Sequence, residues 1–173
     1  MSLFKNLTVL LGLLFLAGCG FQPIYGTGTN SVFNTEMRHI EISPIKDRIG
    51  QLLRNDLEQR ITPKGRARIS KYKLEVRLSE STQGLAVKKS EIATRANLNL
   101  LASYRIIQKS GNKTLASGSS RMVTSFNILT ETFATLIAEK DARKRAVREI
   151  SLDITSKIAA FFKLNRDKLT ETK

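Results

Sequence analysis

The segment Lys71-Tyr72-Lys73-Leu74-Glu75-Val76-Arg77-Leu78 decides the fold, because apolar residues alternate strictly with charged ones along it. Successive side chains of a β-strand point to opposite faces, so this pattern predicts a strand with one buried face and one face in water. Such alternation is typical of an antiparallel sheet that is covered on one side only. We expect the polar segment Ser79–Gly84 to break the strand.

Two other strands are expected before and after this one. Arg38–Ser43 alternates around Ile40 and Ile42. A long strand over about residues 91–107 would place a set of apolar side chains on one face, namely Ile92, Ala96, Leu98, Leu100, Tyr104 and Ile106. Asn97 and Asn99 then lie on the opposite face, because the side-chain period of a strand is two.

A return strand is expected over about residues 114–126, after a hairpin turn at Ser110-Gly111-Asn112. It contains the run Ser117-Gly118-Ser119-Ser120, which is small and polar. A strand this poor in bulky residues needs a partner surface or a close backbone neighbour. We expect the helices to leave it uncovered.

Two amphipathic helices are expected. Ser43 before Pro44 predicts an N-cap followed by proline at the first helical position, and Thr62-Pro63-Lys64-Gly65 predicts the end of this first helix. Its apolar residues recur at helical spacing: Ile45, Ile49, Leu52, Leu53 and Leu57. A longer helix over about residues 130–162 carries an apolar stripe of Phe133, Leu136, Ile137, Val147, Ile150, Ile154, Ile158 and Phe161. Its other face carries Lys140, Arg143, Lys144, Arg145 and Arg148.

The order strand, helix, three strands, helix predicts an α+β protein. We expect a two-layer sandwich, in which a small, mostly antiparallel sheet of about four strands has both helices packed on one face. The expected domain covers residues 38–162, and a charged tail covers residues 163–173.

The N-terminal segment predicts export and lipidation. Lys5 and a short apolar run precede Leu16-Ala17-Gly18-Cys19, which resembles the lipobox of bacterial lipoproteins. By that resemblance residues 1–18 are a signal peptide, the Cys19 thiol accepts a diacylglycerol, and residues 19–37 form a lipidated tether. A membrane-spanning helix is the less favoured alternative, because spanning takes roughly 20 apolar residues and this run has about ten. A buried thiol is also less favoured, since no core pattern surrounds Cys19.

The charge predicts anionic partners. The chain has 29 Lys and Arg against 15 Asp and Glu, and removal of Lys5 with the signal leaves 28 − 15 = +13. Nucleic acid, acidic lipid head groups and phosphorylated glycolipid all fit such a balance. The lipobox argues against nucleic acid, because little of it is present outside the cytoplasm. A basic surface that only maintains solubility is the alternative.

The sequence predicts no enzyme, cofactor or metal site. The single histidine, His39, has no nucleophile or metal-ligand partner at a recognisable spacing, and Cys19 is the only cysteine. Phosphate-binding glycine-rich loops and nucleophile motifs are also missing from the sequence.

Several segments in order resemble the LptE family of lipopolysaccharide-assembly lipoproteins, in the form found in alphaproteobacteria. They are Cys19-Gly20-Phe21-Gln22-Pro23-Ile24-Tyr25-Gly26, Gly50-Gln51-Leu52-Leu53-Arg54-Asn55, Tyr72-Lys73-Leu74 and Phe133-Ala134-Thr135-Leu136-Ile137-Ala138-Glu139-Lys140-Asp141-Ala142. Phe133 departs from the tyrosine expected there.

The resemblance implies an outer-membrane lipoprotein, facing the periplasm and a barrel lumen. It would plug the partner barrel LptD, help it assemble, bind lipopolysaccharide and assist its insertion into the outer leaflet. An accessory lipoprotein of another envelope transport system, with a purely scaffolding role, is the alternative.

A basic segment supplies candidate lipopolysaccharide ligands. Residues 84–126 carry seven basic side chains against Glu91 alone, a net charge of +6. Arginine binds phosphate through two parallel hydrogen bonds, and lysine adds a point charge. The candidates are Arg95, Arg105 and Arg121 on the strands, with Lys109 and Lys113 beside the turn; Lys88 and Lys89 complete the seven. The alternative is that these charges only keep a sheet edge soluble.

Overall fold

The computed structural model describes residues 36–85 and 94–165, which form a four-stranded sheet with two helices on one face. The elements in chain order are β1 (Ile40–Ile42), α1 (Asp47–Ile61), β2 (Tyr72–Gly84), β3 (Arg95–Gln108), β4 (Lys113–Asn127) and α2 (Thr132–Leu164). The strand order is β1-β2-β3-β4, with β1 parallel to β2 and the other pairs antiparallel. The expected two-layer α+β fold, with a mostly antiparallel sheet, is confirmed.

The core lies between the sheet and the two helices. Alternation along β2 and β3 turns one set of apolar side chains toward the helices, and Leu74, Leu98 and Ile106 are fully buried there. On the helices, the 3.6-residue spacing turns a matching set of apolar side chains toward the sheet: Leu53, Leu57, Ile150, Ile154 and Ile158. Burial of each such side chain stabilises the fold by about 1.5–3 kcal/mol.

The strand β2 is longer than the sequence indicated. The expected break at Ser79–Gly84 is wrong, because those residues pair with Ala96–Leu101 of β3 in an unbroken antiparallel register. Backbone hydrogen bonds to a long neighbour can extend a strand through polar residues, since ladder pairing does not depend on side-chain polarity. β2, β3 and β4 are therefore each 13 to 15 residues long.

The first helix begins later than the cap signal predicted. The Ser43 N–H donates to the Leu74 carbonyl at 2.9 Å, which keeps Ser43 extended and beside β2. Ile45 is buried before the helix starts at Asp47, and no side chain caps that start. A Cβ atom on Gly50 would lie 2.7 Å from Ile45 Cγ2, so glycine is what lets Ile45 fold back against the helix. The expected Ser43–Pro44 cap is therefore wrong.

Helix α2 covers the small strand β4, contrary to the expectation. Ser120 and Thr124 are buried, and the Thr124 hydroxyl donates to the Ala142 carbonyl at 3.2 Å. Ala142 and Ala146 are fully buried opposite them. Small residues on both elements let helix and strand approach closely, which accounts for the small inward residues of β4.

The apolar stripe of α2 is only partly a core stripe. Its residues from Val147 to Ile158 are buried, but Phe133, Leu136 and Ile137 are 74%, 56% and 52% exposed. The inward stripe therefore runs from Val147 onward, and the three residues before it do not face the core, because the first buried residue of α2 is Ala142. At the other end of the helix, Phe162 is buried, and its ring lies edge-on to Tyr72 with centroids 5.0 Å apart. None of the described helices is both long and apolar enough to span a bilayer.

Candidate functional site

The sheet has one face that neither helix covers, which we call the open face. It is formed by the outward residues of β2, β3 and β4, and most of them are polar: Ser79, Ser81, Gln83, Asn97, Asn99, Ser103, Ser117, Ser119 and Ser125. Leu101 and Val123 are the apolar exceptions near its middle, and they are 42% and 43% exposed. A face this polar is built for water or for a polar partner, because it has little apolar area to bury.

Positive charge dominates the open face. Its ionisable residues on the three long strands are Lys73, Arg77, Arg95, Arg105 and Arg121, against the single acid Glu75. Five cations and one anion on the three long strands, with Glu41 of β1 on the same side paired to Lys109, leave a net positive field that attracts phosphate and carboxylate groups. The face therefore suits an anionic ligand or an acidic partner surface.

The one acid on this face lies between two of the cations. Glu75 accepts hydrogen bonds from Arg105 Nε at 2.7 Å and pairs with Lys73 Nζ at 2.8 Å. These bonds, from Lys73 first and Arg105 second, lower the pKa of Glu75. The Glu75 carboxylate holds the Arg105 guanidinium in a fixed position. A bound anion would either share this guanidinium with Glu75 or displace the Glu75 carboxylate from it.

A shallow depression of about 350 Å³ lies beside this ion pair. Its lining includes the cations Arg77 and Arg105, the Glu75 carboxylate that pairs with Arg105, and the hydroxyls of Ser103 and Ser117. Two guanidinium groups with two hydroxyl donors are chemically suited to a phosphate. Sequence reasoning missed Arg77, although alternation from Leu74 places it on the wet face; its position opposite Ser103 depends on the register with β3.

The structure spreads the sequence-predicted candidates along the sheet. Arg95 and Arg105 are ten residues apart on β3, or about 33 Å at the usual rise per residue. Arg121 lies between them, opposite Leu101, and its Nη2 is 3.4 Å from Asn99 Oδ1. The candidates therefore share a face but cannot surround one phosphate.

The remaining candidates lie at the hairpin end or outside the described residues. Lys109 pairs with Glu41 of β1, and Lys113 is exposed at the start of β4. The turn between them contains Asn112, whose φ of 51° fits the expected hairpin. Lys88, Lys89 and the lipidation candidate Cys19 lie outside the residues that the structure describes.

Exposed apolar side chains cluster at the opposite end of the sheet, which we call the tip. The strand ends meet there, since the Leu85 N–H donates to the Arg95 carbonyl and the Ile128 N–H to the Thr94 carbonyl. The tip consists of Leu85, Leu129, Phe133, Leu136 and Ile137, each about half exposed or more. Thr135 Oγ1 bonds to the backbone of Leu129 and so fixes the start of α2 beside β4. These five exposed apolar side chains near one end of the sheet make the tip a candidate contact surface.

His39 has a structural contact in this arrangement. Its Nδ1 lies 2.6 Å from the Ile69 carbonyl, which ties the end of the loop after α1 to the start of β1. Within residues 36–85 and 94–165, no group of three acidic, histidine or cysteine side chains is placed to hold a metal ion.

The arrangement of strands and helices is shared with known proteins. The family model for LptE, lipopolysaccharide-assembly, matches residues 37–160, which is most of the chain and nearly all of its described part. The chain belongs to the LptE family. A protein of Rickettsia prowazekii is 22% identical over 147 residues, covering 85% of this chain and 90% of its own length.

Two solved structures show the same fold as this LptE-family chain. A protein from Caulobacter crescentus, assigned as a lipoprotein, superposes with a TM-score of 0.62 at 19% identity, covering 76% of this chain and 96% of its own. A minor lipoprotein from Acinetobacter baumannii superposes with a TM-score of 0.58 at 19% identity, covering 70% and 90%. LptE proteins are non-enzymatic lipoproteins of the cell envelope that act in lipopolysaccharide assembly.

Proposed function

We propose that this chain is an outer-membrane lipoprotein, anchored through Cys19, that plugs an LptD-type barrel and assists delivery of lipopolysaccharide to the outer leaflet. The observation that carries the proposal is the open face of a domain that matches the LptE family over residues 37–160. Three long strands leave a large polar and basic surface uncovered on this side, and a partner that encloses the domain could bind to it.

The open face is the surface proposed to meet the barrel wall. Barrel interiors are polar, and the serines, asparagines and arginines of this face fit such a surface. The tip is a second contact candidate, because its exposed apolar side chains suit a drier surface than a barrel wall.

A photo-crosslinking experiment in cells tests the barrel contact. Crosslinkers at Asn112 and Ser119 sample the hairpin and the open face, and Ile137 samples the tip. Lys144 is the matched control, since it is exposed on the solvent side of α2. We expect capture of a large barrel from Asn112 and Ser119 and much less from Lys144. Efficient capture from Lys144, with none from the hairpin, would reverse the proposed orientation.

The cations of the open face are proposed to bind the acidic groups near the lipid core of lipopolysaccharide. Support comes from the excess of Arg and Lys on this face and from the depression between Arg77 and Arg105. The candidate cations extend along much of the sheet. This spacing fits a large amphiphile that passes several cations in turn, and it fits a small ligand in one pocket less well.

A charge-reversal experiment tests lipopolysaccharide binding. Arg95, Arg105 and Arg121 are changed together to Glu, and affinity is measured at several salt concentrations. The matched control reverses Lys140, Lys144 and Arg148, which carry the same total charge on the other side of the domain. We expect at least a tenfold loss of affinity and a weaker salt dependence only in the open-face variant. Unchanged binding by a folded variant that still captures its barrel would leave a scaffolding role alone.

The anchor and the alternative partner have their own tests. Cys19→Ala is expected to give an uncleaved or mislocalised precursor, and intact mass spectrometry of the mature wild type should show a lipid-modified Cys19. Gly20, rather than aspartate, follows the anchor, which favours the outer membrane. Copurification of an inner-membrane transporter, in place of a barrel, would support the accessory lipoprotein of another envelope system.

A further inference from the structure

The strand β4 forms one edge of the sheet along its whole length. β3 pairs with one side of it, and no other described strand pairs with the second side. An unpaired edge of this length is a template for another strand, because its outward N–H and C=O groups repeat every second residue. β4 is 15 residues long, contains no proline and has mostly small side chains. Its bulge lies near its start, opposite Ile106 and Ile107, and beyond that bulge Arg121 is its one charged residue, so the stretch from Ser117 to Asn127 is open to pairing.

Two cationic side chains of α2 occupy this edge. Lys157 Nζ donates to the Ser119 carbonyl at 2.8 Å, and Arg145 Nη2 donates to the Ser125 carbonyl at 3.3 Å. Twelve helical residues rise about 18 Å, and six strand residues rise about 20 Å. The helix therefore runs antiparallel to β4 at a spacing that puts one cation near each end of the same stretch of edge.

Each cation is itself held by an acid one turn earlier on the helix. Asp153 pairs with Lys157 at 2.7 Å, and Asp141 pairs with Arg145. The same three-part arrangement, acid to cation to strand carbonyl, thus occurs twice, and the rise between the two cations on α2 matches the rise between the two carbonyls on β4. We therefore treat the two contacts as one feature of this edge.

The edge that these cations occupy is complementary to itself. If β4 of a second copy pairs antiparallel about a two-fold axis at Met122, Ser119 lies opposite Ser125, Arg121 opposite Val123 and Ser117 opposite Asn127. No like charges are opposed in this register. Ser119 and Ser125 have outward carbonyls, and residues two apart on a strand point the same way, so these are the hydrogen-bonded pairs of the new ladder.

We propose that the edge of β4 can pair with β4 of a second copy of this chain, and that Arg145 and Lys157 block this pairing. By occupying the outward carbonyls of Ser119 and Ser125, the two cations remove acceptors that the second strand needs. They also place charge where that strand would lie. A domain that acts as a single copy inside a partner needs its free strand edge protected against pairing with a second copy, whether the partner is a barrel or another transporter.

The experiment removes the two donors while keeping their aliphatic stems. The mature full-length chain with Cys19→Ser carries either Arg145→Met and Lys157→Met, or the matched control Lys144→Met and Arg148→Met. Among residues 36–85 and 94–165 the two control cations make no ion pair or backbone contact. Self-association is followed by sedimentation velocity over a range of concentrations, together with binding of a labelled peptide of sequence Lys113–Asn127.

We expect the edge variant to dimerise or to bind the peptide at least tenfold more tightly than the wild type and the control do. Val123→Pro, added to the edge variant, removes one outward N–H without touching the β3 ladder, and it should abolish the association. An edge variant that stays monomeric and ignores the peptide overturns the proposal. So does association that the control shares, or association that survives Val123→Pro and therefore uses another surface, such as the β2 edge beyond Leu74.

Discussion

The two faces of one sheet differ in almost every property. The inner face carries Leu74, Leu98, Leu100 and Ile106, all fully buried beneath the helices. The open face carries serines, asparagines and arginines, which occupy the alternate positions of the same strands. Because alternation assigns each residue to one face, a single strand such as β3 packs against the helices through its even positions and presents most of its odd positions to water.

This difference separates stability from function. A substitution on the inner face removes buried area and packing, while one on the open face changes charge and hydrogen-bonding groups already in contact with water. The tip is the exception, because it exposes apolar side chains on the helix that elsewhere forms the core. The apolar residues of α2 therefore fall into two groups, buried ones from Ala142 onward and exposed ones before it.

The largest effect is expected on the inner side, at Ile154. This side chain is fully buried on α2, so Ile154→Ala should lower the free energy of unfolding by about 2–5 kcal/mol. The matched change on the open face is Leu101→Ala, which should cost only about 1 kcal/mol because Leu101 is already 42% exposed. Urea unfolding checks both variants. Equal losses would contradict the assignment of the two faces.

A smaller effect is expected at Gly118 of β4, because the ring of Tyr104, its partner on β3, lies close to it on the inner side of the sheet. A Cβ atom there would lie 2.8 Å from Tyr104 Oη, whose residue is the cross-strand partner of Gly118. Gly118→Ala should therefore displace the Tyr104 ring and cost about 1–3 kcal/mol, as overpacking does. Its neighbour Ser119 faces the other way, so Ser119→Ala should change stability by less than about 0.5 kcal/mol. Thermal unfolding of the two variants distinguishes them, and an unchanged Gly118→Ala would show that the ring moves without cost.

Sequence reasoning predicted the strands and the layer arrangement because alternation in β2 and β3 is a local signal. It placed Ile40, Leu74 and Ile106 correctly in the core. It failed at β4, where small residues signalled weak packing but serve close approach of α2, whose alanines are uninformative by themselves. It did not place Phe133, because helical periodicity does not say where the sheet beneath a helix ends.

The candidate site was predictable only in part. Alternation places Arg95, Arg105 and Arg121 on the wet side of their strands, and the structure puts all three on the open face. Their separation along the sheet, the pairing of Arg105 with Glu75 and the position of Arg77 all depend on register between strands. Register is a tertiary property, set by the turn and by the buried pattern of both partners.

The smallest effect is expected from the ion pair on the open face. The pKa of Glu75 is lowered by its bonds from Lys73 and Arg105, so the folded state binds a proton less readily than the unfolded chain does. The stabilising contribution of Glu75 is therefore present above the unfolded pKa of about 4.3 and is lost as the pH falls through the lower folded pKa. Exposure to water keeps this contribution below about 1 kcal/mol.

Glu75→Gln isolates that contribution from those of other acids. The variant should be slightly less stable than the wild type at pH 7, and the gap should be smaller at pH 3, because the wild-type carboxylate takes up protons as the pH falls below its unfolded pKa and toward its lowered folded pKa. Glu41 and Asp153, whose pKa values are also lowered, remain in both proteins and cancel in the difference. Glu149→Gln is the control, since Glu149 is exposed on α2 and makes no ion pair with the described residues. A gap that is the same at both pH values would mean that Glu75 acts through packing on the open face and not through charge.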